Sequence, residues 1–228
     1  MLPFRVSGWI ASLRGQLRPL FLLLAPAVLV TSAFADAQKL PSPANSTVPM
    51  VLTLVGRDAA GTADPIGEFD IVVRDLANLP KSGVQVVLDF TESTDTRLCT
   101  DQSPTGGADC DVKCVVQNGT TGSDGIARFR VVGWSDHAST PTQGQRLHVF
   151  ADGVVIRYVA VAALDQEGNG VGASDLSKML DDVFHSPNAA RSDLNGDGSA
   201  GAADLALWLA AFFADGSILG AGSSSCPH

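Results

Sequence analysis

Two short acidic segments towards the end of the chain carry the residue types best suited to chemistry. One, residues 193–199, reads Asp-Leu-Asn-Gly-Asp-Gly-Ser and is followed by Asp204. The other, residues 165–171, reads Asp-Gln-Glu-Gly-Asn-Gly-Val and is followed by Asp175. A tight loop that offers oxygen atoms at positions 1, 3, 5 and 12, with glycine at position 6, suits a hard cation such as Ca²⁺. The spacing therefore predicts metal binding and not catalysis.

Each segment is followed by residues with helical periodicity. Apolar residues recur at i, i+3, i+4 and i+7, which predicts one apolar stripe on each of two short helices. The stripes consist of Leu176, Met179, Leu180 and Val183 and of Leu205, Trp208, Leu209 and Phe212. The helix residues repeat after 29 positions but the first aspartates after 28, so we expect one residue to be missing at position 7 or 8 of the first loop. We expect the two stripes to pack against each other, with the loops side by side.

This duplicated unit, residues 164–215, resembles a dockerin. In that family a repeated loop and helix bind two Ca²⁺ ions and dock onto a cohesin domain. The resemblance implies that side-chain oxygens and, for Ser199, the backbone carbonyl bind Ca²⁺ in the second loop, through Asp193, Asn195, Asp197, Ser199 and Asp204. For the first loop it implies Asp165, Glu167, Asn169, Val171 and Asp175, with Val171 also forming the apolar contact between the loops.

Two alternatives stay open for this unit. The family positions that face cohesin hold Ala202-Ala203 and Ala173-Ser174 in place of the common Ser-Thr pairs, and another role is to cap or anchor a neighbouring domain. Clusters of Asp, Asn and Gly are also ordinary turn material. The charge of the segment disfavours the interpretation as simple turns, because positions 165 to 204 hold eight acidic residues and only two basic ones, Lys178 and Arg191. A divalent cation would relieve the repulsion between the acidic side chains.

The middle of the chain has the pattern of a β domain. Short apolar or alternating runs separated by Gly, Asp and Pro predict strands at residues 50–55, 69–73, 84–90, 126–132, 147–150 and 154–161. An Asp-Gly pair at 152–153 favours a tight hairpin turn between the last two. About seven short strands without helical periodicity indicate a β-sandwich.

Residues 84–90 and 121–129 resemble the bacterial immunoglobulin-like domains of the invasin/intimin type. The second segment, Thr-Gly-Ser-Asp-Gly-Ile-Ala-Arg-Phe, has the Asp-Gly turn and the alternating strand ending in phenylalanine that are typical of that family. The expected fold is therefore mainly β, an immunoglobulin-like sandwich followed by a small α-helical, dockerin-like and EF-hand-like pair.

The start of the chain predicts export. Three arginines, an apolar run over residues 20–30 and a small-x-small triplet at 33–35 are typical of a secretory signal peptide over 1–35. The alternative is an uncleaved membrane anchor, but the run is about half of the ~20 residues that a spanning helix needs. No later segment is long and apolar enough to span a bilayer, so we expect a secreted or cell-surface protein of bacterial type.

The remaining boundaries follow from composition. We expect a linker at 36–48, the sandwich at 49–163, the dockerin-like unit at 164–215 and a tail at 216–228. The net charge of −9 argues against nucleic acid as a partner, because binding it requires a basic surface. An even number of cysteines in an exported chain predicts disulfides, with one local bridge among Cys99, Cys110 and Cys114 and a second that ties Cys226 back to them.

No catalytic motif accompanies these features. Glu68, Asp70, Asp89 and Glu92 are candidate carboxylates for glycoside hydrolysis, but nothing in their spacing selects a pair. We therefore predict a secreted, non-enzymatic calcium-binding protein whose partner is a cohesin-like or other extracellular protein. The alternatives are an accessory subunit of a cohesin–dockerin assembly that degrades polysaccharide, and a small hydrolase whose site lies in the polar, cysteine-bearing insert at 91–121.

Overall fold

Ten β-strands and two α-helices form the part of the chain that the computed structural model describes, residues 39–57, 62–135, 146–185 and 190–214. Six strands share one sheet, and they are β1 (Val51–Leu54), β3 (Val86–Asp89), β5 (Gly106–Asp109), β6 (Cys114–Gln117), β9 (Arg146–Ala151) and β10 (Val154–Ala163). Their order is β1-β10-β9-β3-β6-β5. Two further pairs are β2 (Glu68–Val72) with β7 (Ile126–Arg130), and β4 (Thr96–Leu98) with β8 (Gly133–Ser135).

The chain is mainly β, as the sequence predicts. All six predicted strands are present within a few residues of their expected bounds. Strand β7 illustrates the reason, because Ala127 and Phe129 are buried whereas Arg128 between them is exposed. An alternation of this kind places one face of a strand in the core and the other in solvent.

One buried cluster receives side chains from both the large sheet and the β2–β7 pair. Leu52, Leu88 and Val149 come from the large sheet, while Ile71 and Phe129 come from β2 and β7, and all are at most 1% exposed. Because apolar groups of this size stabilise the fold through the surface they remove from water, this cluster is the main core of the β region.

The predicted hairpin joins β9 and β10. Asp152 and Gly153 have φ values of +48° and +78°, which suits the Asp-Gly pair expected there. Val154 pairs with Ala151 across the turn. On its other side β10 pairs in parallel with β1, at the register Val51 to Ala160, so β10 is an interior strand.

The insert at residues 91–121 is more ordered than a polar loop. It contains β4, β5 and β6, and β6 pairs with both β3 and β5. A disulfide joins Cys110 and Cys114 across a tight turn in which Cys110, Asp111 and Val112 all have positive φ. The expected local bridge is thus present, whereas Cys226 lies outside the described residues.

The predicted linker is described from residue 39 onwards. The amide of Ser42 donates to the carbonyl of Arg74 at 2.7 Å, and Thr47 pairs with Val72. The second half of this segment is therefore bonded to the end of β2. The predicted signal peptide, 1–35, and the tail, 216–228, lie outside the described residues.

Helices α1 (Ala173–His185) and α2 (Ala202–Ala214) occupy the positions predicted for them. Both apolar stripes enter a second buried cluster, which they share with residues of the β region. Its buried members are Val55, Ala63, Cys99, Val132, Leu164, Met179, Trp208 and Ala211. The helices thus pack on the end of the β region as well as on each other. Neither α1 nor α2 combines the length and apolar character needed to cross a membrane.

Candidate metal centre

The carboxylates of the second loop converge on one point. Oxygen atoms of Asp193, Asp197 and Asp204 all lie within 4.8 Å of one another. Asp193 and Asp204 are buried, whereas Asp197 is exposed, so the cluster is accessible to solvent from one side. In the ranges that the structure describes, no other group of three or more His, Cys, Asp or Glu side chains has this geometry.

Backbone amides fix the two buried carboxylates. The amide of Gly198 donates to Asp193 at 2.9 Å. The amides of Asn195 and Gly201 donate to Asp204, each at 2.9 Å. Asp204 lies in the first turn of α2, where unpaired amides and the helix dipole favour a negative charge. The helix start therefore determines where this carboxylate lies.

Two glycines allow the loop to turn this sharply. Gly196 and Gly198, at loop positions 4 and 6, have φ values of +75° and +96°. A side chain disfavours this left-handed backbone by roughly 1–2 kcal/mol per residue, so glycine is the suitable residue at both positions. The glycine at position 6 is the one that the calcium-loop pattern requires.

The other two predicted ligands of the second loop lie beside Asp197. The side-chain amide of Asn195 donates to one carboxylate oxygen of Asp197 at 3.0 Å, and the Ser199 hydroxyl donates to the other at 2.8 Å. The structure thus places Asn195 and Ser199 on the exposed side of the cluster, where they are bonded to the third carboxylate.

The charges in this cluster are only partly compensated. Burial raises the pKa of Asp193, and the neighbouring Asp204 carboxylate raises it further, against the opposing effect of the backbone amides. Hydrogen bonds from Ser199 and Asn195 lower the pKa of Asp197. The atoms that could bind a metal here are all oxygens, and three of the groups are carboxylates, which fits Ca²⁺. A cation among them would favour the ionised form of each.

The first loop has the same backbone plan with one residue fewer. The amide of Gly170 donates to the first aspartate at 2.9 Å, as that of Gly198 does in the second loop. The amide of Gly172 donates to the last aspartate at 2.8 Å, as that of Gly201 does at 2.9 Å. The first glycine pair is 28 residues apart and the second 29. The missing residue therefore lies beside Val171, as predicted.

The side chains of the first loop are arranged differently. Asp165 and Asp175 are fully buried, and burial raises the pKa of Asp175 to about 6. The third acidic residue, Glu167, forms an ion pair with Lys178 at 3.0 Å and accepts from the Asn169 amide at 3.1 Å. Among the described residues, the three carboxylates of the first loop thus do not converge as those of the second loop do, and Glu167 pairs with Lys178 instead.

Both loops lie against the β region. The amide of the last β8 residue donates to the carbonyl of Asp165 at 3.1 Å. A Cβ atom at Gly168 would lie 2.7 Å from the ring of Trp134, and one at Gly196 would lie 3.5 Å from Val51. Trp134 therefore packs on the first loop.

A buried polar network connects the two repeats, and sequence reasoning missed it. Arg191 donates to Asp182 at 2.6 and 2.8 Å, and Asp182 is only 2% exposed. Ser192 also donates to Asp182 and accepts from Gln166 of the first loop at 3.0 Å. Two residues in the sequence could have indicated this network, namely Asp182 beside the apolar stripe of α1 and Arg191 shortly before the second loop.

Two of the four candidate carboxylates for hydrolysis form ion pairs within the sheet. Asp70 pairs with Arg128 at 2.8 Å, and Glu68 pairs with Arg130 across strands β2 and β7. Cross-strand pairs of this kind stabilise a sheet, and they account for these two carboxylates without a reaction.

Comparison with known proteins adds no assignment. No family model matches the chain, and neither the curated proteins nor the solved structures give a significant match.

Proposed function

We propose that this chain is a secreted, non-enzymatic protein that binds Ca²⁺ in its second acidic loop. The observation that carries the proposal is the convergence of Asp193, Asp197 and Asp204 within 4.8 Å of one another at the start of α2. Three carboxylates so close repel one another unless a cation lies between them. An oxygen-only donor set at the start of a helix favours Ca²⁺ over softer metals.

We propose that the metal stabilises the packing of the helix pair on the β region. Trp208 is fully buried and donates its indole N–H to the carbonyl of Leu164 at 3.2 Å, directly before the first loop. The second loop leads into the helix that carries Trp208. By fixing the start of α2, Ca²⁺ would stabilise the packing of this tryptophan, because a ligand that binds only the folded state raises its stability.

For the β region we propose an immunoglobulin-like sandwich. Two features support it, namely the parallel pairing of β1 with the last strand β10 and the shared core between the large sheet and the β2–β7 pair. The Cys110–Cys114 disulfide is consistent with an oxidising compartment and hence with export. The helix pair that follows is, in this proposal, dockerin-like.

The test is calcium binding by the full secreted chain after removal of metal with a chelator. Calorimetry should detect Ca²⁺ binding, and saturating Ca²⁺ should raise the midpoint of thermal unfolding. At a free concentration of one hundred times Kd the gain is about 2.7 kcal/mol. The double variant Asp193→Asn with Asp197→Asn should lose both effects.

The matched control is Asp181→Asn. This aspartate lies on the surface of α1, with 64% of its side chain exposed, and pairs with His185 at 2.9 Å. Its replacement removes one negative charge without touching the cluster, so Ca²⁺ binding should persist. A melting curve that is identical in Ca²⁺ and in chelator would refute the proposal.

A second candidate function is an accessory subunit of a cohesin–dockerin assembly. Phe184 and Phe213 favour it, because they occupy equivalent positions 29 residues apart and are 72% and 58% exposed. Two large exposed apolar side chains on a helix pair suit a protein partner. Calcium-dependent capture by a panel of cohesins, lost in the Phe184→Ala and Phe213→Ala double variant, would support this function, and no capture would exclude it.

A further inference from the structure

The two loops differ in the source of positive charge. Lys178 lies on α1, one turn after Asp175, and its ammonium group donates to the carbonyl of Gln166 at 2.9 Å. The same group is 3.0 Å from a carboxylate oxygen of Glu167, and both side chains are about one-third exposed. Because residues three apart on a helix share a face, Lys178 extends back over the loop that precedes its own helix.

The second loop has no equivalent of this lysine. The residue 29 positions after Lys178 is Leu207, and residues 193–207 include no Lys, Arg or His. The two loops carry the same number of acidic side chains, three each. The first loop thus contains its own counter-charge, whereas residues 193–207 of the second loop and its helix supply none.

The residue that is missing from the first loop also makes that loop less suited to bind a metal than the second. Between its two paired glycines the second loop has Ser199 and Ala200, but the first loop has only Val171 between Gly170 and Gly172. In a calcium loop this stretch supplies the backbone carbonyl ligand of position 7. The first loop is therefore shorter at the one place where the backbone would bind the metal, and its third carboxylate is bonded to Lys178.

We propose that the ammonium group of Lys178 replaces a metal ion in the first loop, so that the chain binds one Ca²⁺ ion and not two. This inference rests on the proposed function of the second loop. It assigns the loops different roles, in which the first is a metal-independent junction with the β region and the second is the part that responds to calcium.

The experiment is calorimetric titration of the metal-free full chain with Ca²⁺. The wild type should bind one ion, and the Asp193→Asn with Asp197→Asn variant should bind none. A wild type that binds two ions, or a double variant that still binds one, would overturn the assignment of Lys178 and leave calcium binding itself intact. A wild type that binds none would instead refute the proposed function.

A Lys178→Met variant tests the ammonium group directly. In chelator its thermal midpoint should fall below that of the wild type, because the carboxylate of Glu167 loses its partner. High Ca²⁺ should narrow this difference from the wild type, and calorimetry should detect a second, weaker site, because Ca²⁺ then occupies the first loop as well. The control is Lys81→Met, which removes a lysine paired with Asp152 at 3.9 Å and should leave the stoichiometry at one. If Lys178→Met keeps its wild-type midpoint in chelator, the ammonium group is not the cation of this loop.

Discussion

The contact between the first loop and Trp134 gives the sharpest prediction. Gly168 has a φ of +76°, and a Cβ atom there would lie 2.7 Å from the indole ring. In Gly168→Ala the left-handed backbone costs roughly 1–2 kcal/mol, and the overlap with a packed ring costs about 1–3 kcal/mol more. We therefore expect the free energy of unfolding to fall by about 2–5 kcal/mol.

Gly198→Ala separates these two contributions. Gly198 has a φ of +96°, but a Cβ atom there would meet nothing within 4 Å. Its replacement should therefore cost only the backbone contribution, about 1–2 kcal/mol. Both variants should be measured by urea denaturation in chelator, so that changes in calcium affinity do not enter the comparison.

A double-mutant cycle with Trp134→Ala isolates the steric part. When the indole ring is absent, Gly168→Ala should lose its overlap, and the coupling energy between the two changes should be about 1–3 kcal/mol. The same cycle between Trp134→Ala and Gly198→Ala should give a value near zero. If Gly168→Ala costs no more than Gly198→Ala, or if the first coupling is absent, the first loop does not pack on Trp134 as described.

Three further predictions concern buried groups, each measured by urea denaturation in chelator. Burial raises the pKa of Asp175 from 3.8 to about 6, so folding favours the protonated carboxyl. As the pH rises from 4 to 6, the free energy of unfolding of the wild type should therefore fall by up to roughly 3 kcal/mol relative to that of Asp175→Asn, with no further change above pH 6. A difference between the two proteins that does not change with pH would contradict this. Trp208→Phe should cost about 1–2 kcal/mol, because it leaves the Leu164 carbonyl without its donor, and a neutral result would refute that bond. Asp182→Asn should cost about 3 kcal/mol, since it removes the charge that compensates Arg191 in a buried pair, whereas the exposed Asp181→Asn should have little effect.

The strands that the sequence predicts are those with apolar or alternating runs. Strand β7, with Ala127 and Phe129 buried and arginines beside them, carries its burial pattern in its own residues. Strand β5 reads Gly-Gly-Ala-Asp and has no such pattern. It forms because β6 offers an edge with which it can pair. Short strands of this type depend on their neighbours and cannot be predicted from local periodicity.

The candidate site also has features that could be predicted from the sequence and features that could not. The convergence of Asp193, Asp197 and Asp204 follows from spacing within one loop and the helix after it, so the sequence was sufficient to predict it. The roles of Lys178 and Trp134 were not predictable, because each depends on where a long side chain extends in three dimensions. A lysine on a helix surface usually faces water, and only the backbone path of the first loop brings Gln166 and Glu167 within its reach.

The direct passage from β10 into the first loop has a mechanical consequence. Strand β10 ends at Ala163, and Asp165 already belongs to the loop, so almost no free chain separates the sheet from the helix pair. Strand β10 is held on one side by β1 and on the other by β9. A pull on the helix pair, for example by a tethered surface, would load an interior strand along its length and strain many hydrogen bonds at once. A partner bound by the helices would therefore keep a fixed orientation relative to the sheet.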